Sequence, residues 1–117
     1  MKLKLLSVDK KLVHVECSET ITLIDIQERD PLDALLGVGC ASNQIMLNLS
    51  KTTYIDTGAV SWFIRCNREC KAAGGCFVIH SIPPMVKQVL QLLRMNELLH
   101  LAEDEAEARA IVGGAKP

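Results

Sequence analysis

From Gln44 onward, short apolar runs of strand length alternate with stretches of helical period, and this alternation constrains the fold more than any other feature. "QIMLNLS" predicts a buried strand over 44–49, and "CFVIHSI" predicts another over 76–80. Between them, from Gly58 to Ala73, Val60, Phe63, Ile64, Asn67 and Cys70 keep helical spacing. Arg65, Arg68, Glu69 and Lys71 mostly fill the other side, and Gly74-Gly75 ends the element. "PPMVKQVLQLLRMN" opens on proline, as helices tolerate, and Met85, Val86, Val89, Leu90, Leu92 and Leu93 predict a broad buried face. "ELLHLA" reads as a final short strand, and "EDEAEARAIV" as a closing helix with acids where the dipole favours them. Strands that alternate with helices need crossover connections, which build a largely parallel sheet.

Ahead of this unit, "LKLLSVD" and "KLVHVEC" flank the turn "DKK" and predict a hairpin over 3–8 and 12–17. "DPLDALLG" predicts a short helix with Asp30 as N-cap, Pro31 first and Gly37 as the stop; Leu32, Leu35 and Leu36 are its stripe. The element order is then β-β-α-β-α-β-α-β-α. It defines an α/β domain with a mixed, mostly parallel sheet of four to five strands and helices packed chiefly on one face. The domain is expected over 1–112, with a flexible tail over 113–117.

Apolar residues make up 49% of the chain, enough for a core without staples, and with aromatics at 3% that core is aliphatic. The net charge of −1 arises from interspersed signs, which argues against a nucleic-acid partner. No run nears the roughly 20 apolar residues of a membrane span, and the start shows no apolar stretch of signal-peptide length, so a cytoplasmic protein is expected. The five cysteines, Cys17, Cys40, Cys66, Cys70 and Cys76, then read as reduced thiols packed as small hydrophobes. Their spacing matches no zinc pattern, and no metal or cofactor is expected.

The motifs of nucleotide, hydrolase and zinc-protease chemistry (GxxxxGK[ST], GxGxxG, GxSxG, HExxH) are all missing. His14, His80 and His100 fall on separate predicted strands, where a lone histidine is more often structural or solvated than a ligand. The acids Glu103, Asp104, Glu105 and Glu107 read as a solvated helix start. No catalytic residues are assigned, although a thiol enzyme using Cys66 or Cys70 remains as an alternative from another class.

One junction stands out. In "TYIDTGAV" a strand-like run gives way to helical period at Asp56-Thr57-Gly58. Asp56 or Thr57 can cap the helix through a side-chain oxygen, with Gly58 easing a tight turn. A hydroxyl at that position is also suited to carry a phosphate, because added negative charge there agrees with the helix dipole.

Taken with the element order, "IMLNLSKTTYIDTGAV" and "KAAGGCFVIHSIPPMVKQVLQLLRMNELLHLAEDEAEA" resemble STAS domains, and by pattern the bacterial anti-sigma factor antagonists among them. The likeness covers 44–112 well. Over 1–43 it extends only to a strand pair and a shortened helix. It implies a non-catalytic protein that binds an anti-sigma factor, itself a serine/threonine kinase of the histidine-kinase-like ATPase type. The kinase phosphorylates a hydroxyl after the aspartate, and a phosphatase resets it. By position, Thr57 is the implied phosphoacceptor, with Ser61 as the second hydroxyl. Asp56, Thr57, Gly58, Ala59 and Ser61 form the implied docking face, with Gly58 letting the partner's backbone come close. In the family glycine usually stands one residue later, where Ala59 stands here. The nucleotide would belong to the partner. The resemblance also implies other roles: a scaffold of a stress-sensing complex, or a subunit bound to a transporter ATPase. A homodimer is compatible with each.

Overall fold

The computed structural model describes residues 1–27, 30–37 and 39–114. Strands β1 (Lys2–Asp9) and β2 (Leu12–Ile21) form the expected hairpin, followed by helices α1 (Leu23–Gln27) and α2 (Pro31–Leu36). Then come β3 (Gln44–Ile55), α3 (Thr57–Ala72), β4 (Cys76–His80), α4 (Pro84–Leu92), β5 (His100–Ala102) and α5 (Glu105–Gly114), with single 3-10 turns at Cys40–Ser42 and Met95–Glu97. The sheet order is β1-β2-β3-β4-β5. Among the described residues the β1–β2 pair is antiparallel, and the β2–β3, β3–β4 and β4–β5 pairs are parallel.

The two faces of the sheet are covered unequally. Val13, Val15 and Cys17 of β2, Ile45, Leu47 and Leu49 of β3, and Phe77 and Ile79 of β4 point to one side. There they meet Ile26 of α1, Leu32 of α2, Phe63 and Cys66 of α3, and Val86 and Leu90 of α4. The alternate residues Met46, Cys76 and Val78 point to the other side and meet Ala102 of β5 and Ala108 and Val112 of α5. Among the described residues, helices therefore lie mainly on one face, with α5 alone on the second. All five residues of β4 are buried, as a central parallel strand requires.

Strand β3 is twice as long as the apolar run that predicts it. Its pairing with β2 slips at two places, between Glu16 and Ser18 and between Glu19 and Thr20, and each slip inserts an extra residue on β3. Each bulge flips the side-chain parity, so the buried set passes from Ile45, Leu47 and Leu49 to Thr52 and Ile55. Pairing with β4 stops at Asn48–His80, so the second half of β3 runs on beyond that neighbour and carries the β3–α3 junction outward.

Three expectations need correction. α1 is absent from the sequence reading; its start is set by Asp25, whose carboxylate accepts from the Thr22 N–H at 2.8 Å and the Thr22 hydroxyl at 2.9 Å. The buried stripe of α4 is only Val86 and Leu90, with Met85 72% and Leu92 77% exposed. "ELLHLA" is a 3-10 turn leading into a three-residue strand. The closing helix reaches Gly114, and the rest of the expected tail, 115–117, lies outside the described residues.

Asp30 acts as expected and does more. Its Oδ1 accepts from the amides of Leu32 (2.9 Å) and Asp33 (3.4 Å), capping α2. Its Oδ2 accepts from the indole of the fully buried Trp62 and from Arg65, each at 3.2 Å. Asp30→Ala removes the cap and leaves the indole N–H unpaired. We expect a loss of about 2–3 kcal/mol, read as a lower urea midpoint at unchanged slope.

Candidate functional site

The β3–α3 corner is built around the carboxylate of Asp56. The residue is extended (φ −113°, ψ −175°) and is the N-cap of α3: Oδ1 accepts from the Ala59 amide at 3.1 Å. Asp56, not Thr57, is thus the cap. The other oxygen, Oδ2, accepts from the Leu23 amide at 3.0 Å, the first residue of α1. One carboxylate thereby satisfies an orphan amide in each of two helix starts and pins α1 beside α3.

Gly58 makes this arrangement possible. It is buried, and a Cβ there would lie 2.6 Å from the Leu23 Cα and 2.8 Å from the Leu23 nitrogen. Those are backbone atoms, so they cannot yield as a flexible side chain would. The backbone that comes close to Gly58 is therefore the chain's own. Ala59 likewise turns into the main core with no exposed surface.

Thr57 differs from all three. It is exposed at the first position of α3, and its hydroxyl makes no hydrogen bond among the described residues. Ser61, one turn further, is also exposed. Of the five residues singled out by sequence, Thr57 and Ser61 present surface, Asp56 is partly buried, and Gly58 and Ala59 belong to the interior.

Apolar surface flanks the corner on two sides. On α1, Leu23 is 55% and Ile24 81% exposed. On the other side a shallow apolar groove is lined by Thr53, Tyr54, Ile55, Met85, Val86 and Val89. Sequence reasoning missed both: α1 was not anticipated, and Met85 read as core. A Thr-x-x-Asp spacing at Thr22–Asp25 was the available signal for α1.

All five cysteines are buried. Burial pushes the Cys17 and Cys40 thiols up to about 11, Cys70 up to about 12, and Cys66 higher still. They stay protonated at neutral pH, the form that is a poor nucleophile. Among the described residues no group of three or more His, Cys, Asp or Glu is placed to hold a metal ion, and no helix is long and apolar enough to cross a membrane.

The family profile described as STAS domain matches residues 7–108. The chain belongs to the STAS domain family. Its fold is shared by a Thermotoga maritima protein assigned as an anti-sigma factor antagonist (TM-score 0.77, 19% identity, 96% of this chain and 93% of that one). A Planctomyces limnophilus anti-sigma-factor antagonist (STAS) domain protein is similar to it too (TM-score 0.75, 14% identity, 95% and 97%). So is the anti-sigma factor antagonist SpoIIAA in its unphosphorylated form (TM-score 0.73, 18% identity, 97% of each chain). No curated protein matches the sequence.

The geometry separates two neighbours sharply. Gly58→Ala forces Leu23 away and is expected to cost about 1–3 kcal/mol, as overpacking does. Thr57→Ala removes a free surface hydroxyl and is expected to stay within about 0.5 kcal/mol. Parallel urea titrations of the two variants check the contrast.

Proposed function

We propose that this STAS domain is an anti-sigma factor antagonist whose α3 start docks onto a kinase-type anti-sigma factor, and that Thr57 is the hydroxyl through which docking is switched. The observation that carries the reading is the division of labour at the corner. Asp56, Gly58 and Ala59 are consumed in holding it, while the Thr57 hydroxyl is left free and exposed on a sixteen-residue helix.

Phosphorylation there is chemically undemanding for this chain. The Thr57 oxygen attacks the terminal phosphorus of the partner's ATP, the bond to ADP breaks, and the hydroxyl proton passes to a base on the partner. The product carries about two negative charges at the positive end of α3, so the domain stays folded. The same charge and bulk sit between the apolar surfaces of Leu23–Ile24 and Tyr54–Met85, where they oppose a partner that must exclude water. A phosphatase would restore the docking form. Ser61 lies on the same side of α3 and is the second acceptor. Deeply buried thiols of raised pKa weigh against the thiol-enzyme alternative, and a role in the cytoplasm accords with such a partner.

Incubation with the cognate anti-sigma kinase and ATP should add one phosphate, seen by intact mass, and Thr57→Ala should prevent it. An unchanged mass with an active kinase contradicts the switch. Thr57→Glu should weaken partner binding at least tenfold, about 1.4 kcal/mol, while its unfolding midpoint stays near wild type. A collapsed midpoint with unchanged binding would make the residue structural.

A further inference from the structure

The second face of the sheet holds a pair of groups that the proposed switch does not use. His14 on β2 and His80 on β4 point to the α5 side and meet across β3, with their Nε2 atoms 2.8 Å apart and their ring centroids 5.0 Å apart. Both are buried, His14 to 4% exposure and His80 to none. His80 Nδ1 lies 2.8 Å from the Ser81 hydroxyl, and His14 Nδ1 lies 3.9 Å from Glu105, the first residue of α5. Ser81 itself is a non-glycine residue in the left-handed region (φ 56°), so the ring bond holds a strained residue on the path to α4.

An Nε2···Nε2 hydrogen bond needs one N–H and one lone pair. A neutral pair satisfies it, and the remaining proton sits on one Nδ1. A first added proton goes to the other Nδ1 and leaves the bond intact. A second has only the shared lone pair to occupy. Two N–H groups then face each other, and two positive charges share a buried site. The neighbouring groups do not cure this. Glu105 and Asp104 favour charge, but Arg109 of α5 opposes it, Glu105 is already engaged by Arg109 at 2.8 Å, and Glu16 is paired with Lys51 at 3.5 Å. The positive end of the α5 dipole lies at the same spot.

We propose that the His14–His80 pair is an acid-sensitive latch, which holds α5 on the sheet while it shares one proton and releases α5 when both Nε2 atoms are protonated. Burial lowers both imidazoles from the ordinary 6.5, His80 to about 4, with the charge of His14 as a further cause. The released state binds protons more readily than the closed one. The contribution of the latch is thus complete above about pH 6.5 and is lost as the pH falls from there toward about 4. Release uncovers Met46, Cys76 and Val78, which pack against Ala102 of β5 and Ala108 and Val112 of α5.

Cys76 makes the latch measurable. It packs with Ala108 and Val112 of α5, whereas Cys17, Cys40, Cys66 and Cys70 lie in the core on the opposite face. The full chain is labelled with 4,4′-dithiodipyridine, which reacts with thiols in acid, and each cysteine is followed by peptide mass against an unfolded control. Between about pH 7 and about pH 4.5 the relative rate at Cys76 should rise about tenfold or more, with Cys66 and Cys70 still protected. In His80→Gln, whose amide can still bond His14, the rise should fall below about threefold. His14→Gln provides the same comparison should the first variant fail to fold. The proposal is overturned by a flat Cys76 rate in the wild type, by all five cysteines opening together, or by variants that keep the full rise.

Discussion

The corner that presents Thr57 depends on one carboxylate serving two helices. Asp56 accepts from Ala59 at the start of α3 and from Leu23 at the start of α1, so the geometry of both elements is set at a single point. Neither bond would form at this spacing with a side chain on Gly58, because Leu23 backbone occupies that volume. The placement of glycine directly after Thr57 therefore has a cause within this chain. It is the position where α1 crosses, and a glycine one residue later would leave the crossing blocked and Ala59 missing from the core.

Rigidity here serves exposure. The β3 strand outruns β4, its two bulges turn Tyr54 outward and Ile55 inward, and the capped start of α3 follows immediately. The outcome is a free hydroxyl held in place by neighbours that have no freedom of their own. On either side lies apolar surface from Leu23, Ile24, Tyr54 and Met85. A phosphate set between such surfaces would change their hydration without disturbing the core beneath, as the proposed switch requires.

Much of this was legible in the sequence where periodicity is local. The hairpin, the β4 run of "CFVIH", the sixteen-residue amphipathic helix and the Asp30–Pro31–Gly37 signals each depend on a few adjacent residues. What was hidden depends on register. The apolar alternation of β3 stops at Leu49 because bulges change parity, so the strand's second half looked like a junction. Met85 and Leu92 read as core because a helical stripe cannot reveal how narrow the contact beneath it is. At the candidate site Asp56, Thr57 and Gly58 were visible as types, but their roles were not: the partner of Gly58 is Leu23, thirty-five positions away. The His14–His80 contact joins strands separated by β3, and no spacing announces it.

The proposed partner docks on the corner formed by the starts of α1 and α3. Mapping amide shifts of the isotopically labelled, unphosphorylated domain as a kinase-type anti-sigma factor is added tests it most directly. Changes should concentrate at 22–26, 54–61 and 85–89, with α5 and the β1 edge unaffected. Changes confined to β1 or α5, with Thr57 and Leu23 unmoved by a bound partner, would contradict it.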